Sequence, residues 1–322
     1  MPDIATDRWT RRHLLGLEGL DADEVRALLD TADAFFPFAT GDGEPPLTLA
    51  GRTLLNLILE DSTRTRTSFA LACQRLGGRV VQFHATTSSM EQKGETLRDT
   101  ARTIEAMGLD AIAIRHKERG APHRLAEAVR CSVINAGDDA HEHPTQALLD
   151  LLALRHRLGR LDGLTVAICG DVRHSRVARS NAYGLAALGS RAVFVGPDAY
   201  LDGLDDLAVD VETSTDFDAV LPECDAVMML RVQFERHEGA DGGFDREVYV
   251  RGYQLTAERL ARAKEEAPVL HPGPVNRGIE LTDEVADGPH SLILHQVTCG
   301  VAVRMAALTL CIAAADRDGA EA

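Results

Sequence analysis

Residues 54–83 read LLNLILEDSTRTRTSFALACQRLGGRVVQF. Leu54–Leu59 is a short apolar run of the length one buried strand needs. The polar stretch Glu60-Asp61-Ser62-Thr63-Arg64-Thr65-Arg66-Thr67 follows it. Then Phe69, Ala72, Cys73 and Leu76 fall at i, i+3, i+4 and i+7, the spacing of one apolar helix face. This predicts a helix from about Thr65 to Leu76. Gly77-Gly78 stops it, because glycine accepts the left-handed conformation of a helix end, and Arg79–Phe83 begins a second strand. A strand, a helix and another strand make a parallel pair joined by a crossover.

The alternation continues outward. A helical pattern spans Gly94–Met107, with short buried strands at Ala111–Ile114 and Val133–Asn135. Pro144–Leu158 reads as a helix with proline in its favoured first turn. A second set follows, with strands at Leu164–Cys169, Ala192–Val195, Ala226–Leu230 and Val269–Leu270, and a helix from about Arg176 to Leu188. The expected fold class is therefore α/β: two doubly wound domains, each with a parallel sheet flanked by helices. The first is expected over 1–145 and the second over 146–304. The terminal helix, about 305–322, is a candidate to pack back on the first.

The 322 residues carry a net charge of −16 and suit two domains rather than one. That acidity argues against nucleic acid or an anionic membrane surface as partner, since both reward basic faces. It leaves open a small anionic substrate, which answers to local charge only. Six scattered cysteines without a CxxC pair read as reduced thiols, mostly core filler. The amino terminus lacks an uninterrupted apolar block, and His295, Gln296 and Arg304 interrupt the apolar stretch Ser291–Ala315. A buried terminal helix and a cytoplasmic protein are expected.

Ligands of open parallel sheets bind outside the carboxyl ends of the strands. The polar residues at those ends are Ser62-Thr63-Arg64-Thr65, Arg115-His116, His143-Pro144-Thr145-Gln146, Gly170–Arg176, Arg231-Val232-Gln233 and His271-Pro272-Gly273-Pro274. Arginine and hydroxyl side chains recur in them, which is the composition of an anion site. Ser62–Thr65 stands where a helix starts, and the backbone N–H groups and dipole there favour phosphate. Arg64 adds a planar fork that can grip two oxygens. The alternative is a plain serine cap among solvated arginines. Ser88-Ser89 and Lys93 lie in a polar loop that matters only if it closes over the site. His141-Glu142-His143 lacks the HExxH pattern, so no metal is expected. Neither GxGxxG nor a P-loop is present, which leaves nucleotide cofactors without their usual support.

Ser62-Thr63-Arg64-Thr65-Arg66-Thr67-Ser68-Phe69 resembles the carbamoyl-phosphate signature shared by aspartate and ornithine carbamoyltransferases, and His143-Pro144-Thr145-Gln146 resembles that family's second signature. Lys93-Gly94-Glu95-Thr96, Arg231-Val232-Gln233 and His271–Gly278 are similar to the aspartate branch. Ornithine enzymes usually carry His-Cys-Leu-Pro where this chain has His271-Pro272-Gly273-Pro274. The resemblance runs in register from about Arg52 to Ala307. Leu59-Glu60-Asp61 departs from it, as do Glu91-Gln92.

The resemblance implies transfer of the carbamoyl group of carbamoyl phosphate to L-aspartate, a step of pyrimidine synthesis, in a cleft between the two domains and without a cofactor. It implies that Ser62, Thr63, Arg64, Thr65 and Arg115 cradle the phosphate. Thr65, Arg115 and His143 would point donors at the carbonyl oxygen. Gln146 would bind the carbamoyl NH2, aided by the carbonyls of Gly273 and Pro274. Lys93, Arg176, Arg231 and Gln233 would bind the aspartate, the last three taking its carboxylates. Lys93 and Ser89 would reach in from an adjacent subunit, which implies a homotrimer or an assembly of trimers, open to a dihydroorotase or regulatory partner. Glu60 and Glu235-Arg236 read first as surface charges, though the family pairs their counterparts to hold its domains closed. The competing readings are an ornithine-type acceptor, a catalytically silent homologue, and a dinucleotide-dependent oxidoreductase.

Overall fold

The computed structural model describes residues 4, 6–60, 62–83, 94–233 and 245–320. Among the described residues, nine strands follow the order β1 Thr53–Ile58, β2 Arg79–Gln82, β3 Ala111–His116, β4 Ser132–Asp138, β5 Thr165–Cys169, β6 Arg191–Val195, β7 Glu212–Ser214, β8 Ala226–Met229 and β9 Val269–Leu270. They form two sheets, and every pairing in both is parallel.

The first sheet has the order β2-β1-β3-β4. β4 is buried along its whole length, and β1 and β3 nearly so, as strands covered on both faces must be. Leu55, Leu57, Ile112, Ile114 and Val133 form one side of its core with Ala101 and Leu125 from flanking helices. Each large aliphatic among them contributes about 1.5–3 kcal/mol relative to exposure.

The helix Thr63–Arg75 is pinned to β1 by two hydrogen bonds. Asn56 Nδ2 donates to the Arg66 carbonyl at 2.9 Å, and Arg66 Nη2 donates to the Ile58 carbonyl at 3.1 Å. The glycine pair closing this helix has two separate causes. Gly77 is left-handed at φ +82, whereas a Cβ on Gly78 would lie 2.5 Å from the Cys73 sulfur.

The second sheet has the order β7-β6-β5-β8-β9. Its core joins Val193, Val195, Val227 and Met229 with Phe217 and Tyr249. The chain divides into one unit of Met1–Leu152 with Thr298–Ala322 and another of Ala153–Val297. The breaks thus fall inside the helices Pro144–Leu158 and Ile293–Ala320, the same two helices that hold the 145/146 and 304/305 boundaries expected from sequence. An unbroken helix keeps its apolar period across such a break, so periodicity carries no mark of it.

Ile293–Gly319 is long and apolar enough to cross a membrane by composition, but 83% of its most apolar window is buried inside the protein. All six cysteines are buried free thiols. The helix Ala22–Phe35 is absent from the sequence reading, although a capping box marks its start. Asp21 accepts from the Asp23 and Glu24 amides, and Glu24 accepts from the Asp21 amide. The sequence reading also stops the third strand at Ile114, but β3 continues through Arg115 and His116. Half-burial of these two polar residues breaks the apolar run without breaking the strand.

Candidate functional site

Each sheet has one point where successive strands are added on opposite sides. In the first sheet β1 lies between β2 and β3, and in the second β5 lies between β6 and β8. Connections leaving the two sides part there, and the crevice at the carboxyl ends of such strands is where α/β sheets bind ligands.

At the first switch point, β1 runs into Leu59-Glu60 and then Ser62, the N-cap of the helix Thr63–Arg75. Ser62 is extended and, among the described residues, makes no side-chain cap hydrogen bond. This departs from a plain serine cap, whose hydroxyl would accept from its own helix. No acidic residue stands in the first turn, so nothing there opposes the dipole's attraction for an anion. Thr63 and Arg64 are exposed, and Thr65 is buried.

Arg115 is the penultimate residue of the adjacent strand β3, and its Nε donates to Glu60 Oε2 at 2.9 Å. Both side chains are largely covered, so Glu60 is an aiming partner for this guanidinium rather than a solvated surface charge. Arg66, the second arginine of the motif, serves the strand as described above.

The β4 end is organised by buried carboxylates. Asp138 Oδ1 accepts from Asn135 Nδ2 at 2.8 Å and from the Glu142 amide at 3.2 Å. Its Oδ2 accepts from the Gly120 amide at 2.8 Å and pairs with His141 Nδ1 at 2.9 Å. Burial alone would raise the Asp138 carboxyl, but the hydrogen bonds from His141, Asn135 and Gly120 outweigh it and hold it below its ordinary value. The same hydrogen bond to Asp138 raises His141 against the opposing effect of its own burial.

Glu142, also buried, accepts from the Leu17 and Glu18 amides. His141 and Glu142 are therefore employed in holding the loop that delivers His143. His141 does group with Asp138 and His123, their ligand-type atoms lying within 4.8 Å of one another. His143 is buried at the start of the helix Pro144–Leu158, and its carbonyl accepts from the Gln146 amide at 2.9 Å. Gln146 is buried one turn in, and its Nε2 donates to Asp150 Oδ1 at 2.9 Å.

At the second switch point, β5 leads through Gly170 to Asp171 and to Ser175, which caps the helix Arg176–Ala187. Gly170 sits at φ +135, where a Cβ would lie 3.0 Å from Leu230, so this loop can approach β8 only as glycine. Buried Asp171 pairs with His174 Nδ1 at 2.8 Å. Arg176 opens the helix and is half-buried. Beyond β8, Arg231 and Gln233 are half-buried, and Gln233 Nε2 donates to the His174 carbonyl at 3.0 Å, tying the two loops together.

Glu280 is the hub of this unit and is missing from the sequence reading. Fully buried, it accepts from the Val232 amide at 2.8 Å, the Asn276 amide at 2.7 Å and Asn276 Nδ2 at 2.7 Å. It thereby fastens the Arg231–Gln233 loop to the loop after β9. There His271 Nδ1 accepts from the Gly273 amide at 2.8 Å, Gly273 is half-buried and Pro274 is exposed.

The first unit thus gathers Ser62, Thr63, Arg64, Thr65, Arg115, His143 and Gln146 at the carboxyl ends of its strands. The second gathers Arg176, Arg231, Gln233, Gly273 and Pro274 at the ends of its own. Ser89, Lys93 and Glu235-Arg236 lie outside the described residues. A cavity of about 470 Å³ lined by Arg102, Glu105, Asp110, Arg130 and Cys131 sits at the opposite, amino ends of β3 and β4. It belongs to neither group.

Two parallel α/β units, each with arginine- and hydroxyl-bearing loops at its switch point, define a class of two-domain α/β proteins. Comparison with known proteins places the chain within that class. The description "Aspartate/ornithine carbamoyltransferase, carbamoyl-P binding domain" matches residues 12–156, and "Aspartate/ornithine carbamoyltransferase, Asp/Orn binding domain" matches residues 162–311. The chain belongs to the aspartate/ornithine carbamoyltransferase family.

It is 54% identical over 305 residues to an aspartate carbamoyltransferase catalytic subunit of Myxococcus xanthus, covering 94% of this chain and 100% of that one. To one of a Parafrankia species it is 53% identical, covering 92% and 96%. Among solved structures, Trypanosoma cruzi aspartate transcarbamoylase with carbamoyl aspartate and phosphate is similar at a TM-score of 0.83 and 32% identity, covering 96% and 98%. The same enzyme with carbamoyl phosphate and aspartate gives 0.81 and 30%, covering 96% and 99%.

Proposed function

We propose that the chain is an aspartate carbamoyltransferase, transferring the carbamoyl group of carbamoyl phosphate to the α-amino group of L-aspartate in pyrimidine biosynthesis. The observation that carries this reading is the set of arginines and hydroxyls at the two switch points, in a family member about half identical to aspartate carbamoyltransferases. The amine nitrogen attacks the carbonyl carbon, a C–N bond forms, the bond from that carbon to the phosphate oxygen breaks, and phosphate departs. The reaction needs two anions held together, an oxyanion stabilised and a leaving group neutralised.

In this reading Ser62, Thr63, Arg64 and Thr65 hold the phosphate with Arg115. Thr65, Arg115 and His143 donate to the developing oxyanion. Gln146 and the carbonyls of Gly273 and Pro274 orient the carbamoyl NH2, and Arg176, Arg231 and Gln233 bind the aspartate carboxylates. The departing phosphate accepts the amine proton, since no side chain of this set is a strong base at neutral pH. Ser89 and Lys93 act from an adjacent subunit of a cytoplasmic homotrimer.

The aspartate branch is favoured over the ornithine branch by Arg231 and Gln233, which suit a second carboxylate and not a cation. The test is a carbamoyl-phosphate assay with aspartate and with ornithine, on wild type and on Arg64→Ala. Turnover with aspartate alone, lost in the variant by about 10²–10³, supports the reading. Turnover with ornithine, or none in wild type, overturns it.

A further inference from the structure

An amide side chain presents an acceptor at one end and a donor at the other, and only its neighbours decide which end faces a ligand. For Gln146 that neighbour is Asp150, which is fully buried on the same helix one turn further on. Its Oδ1 receives the Gln146 Nε2 proton at 2.9 Å. An ionised carboxylate can only accept. The flipped amide would set Oε1 against Oδ1, two acceptors with no proton between them in a buried site.

The charge on Asp150 has a buried counterpart. Arg304, 4% exposed on the last helix, is within electrostatic reach of Asp150. Its Nη1 donates to Ser68 Oγ at 3.0 Å and to the Gly300 carbonyl at 2.9 Å, and its guanidinium lies 5.1 Å from the Phe69 ring centroid. Ser68 and Phe69 belong to the helix that Ser62 caps. One buried cation therefore supports both the carboxylate that holds Gln146 and the helix that begins at the phosphate-type loop.

We propose that Asp150 is a positioning residue that sets the polarity of Gln146, holding Nε2 so that the carbonyl oxygen Oε1 is the end offered to the NH2 of a carbamoyl ligand. Asp150 thereby makes the site selective for an amide over a methyl ketone of the same shape. The inference rests on the reading of Gln146 as the contact to the carbamoyl NH2.

Two stable phosphonates separate these contributions: phosphonoacetamide, which keeps the carbonyl and its NH2, and 2-oxopropylphosphonate, in which methyl replaces NH2. Calorimetric dissociation constants are compared as a ratio, which does not depend on the folded fraction of a sample. Wild type is expected to prefer the amide by about 5- to 100-fold, the factor set by one unsatisfied buried acceptor. Asp150→Asn and Asp150→Ser can both donate as well as accept. Each lets the amide take either orientation and is expected to lower that preference by about twofold or more, through weaker binding of the amide, while the methyl ketone's affinity stays at the wild-type level. Asp150→Glu, still accept-only beside Arg304, is expected to retain most of the preference.

Equal weakening of both ligands, or an unchanged ratio in Asp150→Asn and Asp150→Ser, overturns the inference. Gln146→Met distinguishes the two levels of the argument. If it abolishes the preference while the Asp150 variants do not, the assignment to Asp150 alone fails. If it leaves the preference intact, the reading of Gln146 fails as well.

Discussion

Arg115 Nε lies 2.9 Å from Glu60 Oε2, joining the end of β3 to the segment just beyond β1. These are the two strands that flank the switch point of the first sheet. The partners stand 55 positions apart in sequence, and the pair holds the guanidinium by one edge. A fork held this way is pre-aimed before any anion arrives, which reduces the ordering cost of binding.

Glu60→Ala should therefore damage catalysis without removing any group that touches substrate. Loss of aim by about an ångström costs up to about 10²-fold, so kcat/KM for carbamoyl phosphate should fall by about ten- to a hundredfold. Glu60→Gln should fall between the variant and wild type. Steady-state kinetics showing both variants at wild-type level would remove the aiming role.

Arg231→Ala should separate the two substrates. It lies in the second unit, on the loop after β8, so the aspartate KM should rise by about tenfold or more, as expected for one lost charge-assisted hydrogen bond of about 1.5–3 kcal/mol. The affinity for carbamoyl phosphate should change little. A larger effect on carbamoyl phosphate than on aspartate would remove Arg231 from the proposed aspartate-binding set.

Glu280→Ala removes the acceptor for three N–H groups in a fully buried position. Unsatisfied buried donors cost about 1–3 kcal/mol each, so denaturant unfolding should show a loss of several kcal/mol. Glu280→Gln keeps one acceptor oxygen and should lose less. If Glu280→Ala unfolds at the wild-type denaturant midpoint, Glu280 is not the fastening of the two loops.

The Asp138–His141 pair predicts a pH dependence of stability with a definite sign. His141 is raised in the folded state, so its contribution is complete below its ordinary value of 6.5 and fades as pH climbs through the raised one. Asp138 is lowered, so its contribution is present above its ordinary value of 3.8 and is lost as pH falls through the lowered one. His141→Ala should therefore lower the thermal midpoint most at about pH 5, with the deficit shrinking by about pH 8. A deficit that grows with pH between those values would contradict the assignment.

Local signals carried much of the architecture. The apolar runs became β1, β5, β8 and β9 with at most a one-residue change at an end, and Pro144–Leu158 is a helix over the residues its pattern covers. These features depend on side chains a few positions apart, and a linear text records such neighbours. The capping box at Asp21 and Glu24 was equally readable, whereas the edge strand Glu212–Ser214, with no buried residue, has no apolar period to read.

The positions of the candidate ligand residues were also legible, because polar runs after buried strands mark strand mouths wherever those strands lie. Strand order was not, since parallel neighbours are chosen by crossovers whose packing is long-range. Nor were the buried carboxylates: Asp138, Asp150 and Glu280 look like any other acid among 50. Each acquires its task from donors that folding brings to it, some a few residues away and others on distant segments. A charge left out of water must find such partners, and that requirement is met in three dimensions, where sequence spacing no longer measures distance.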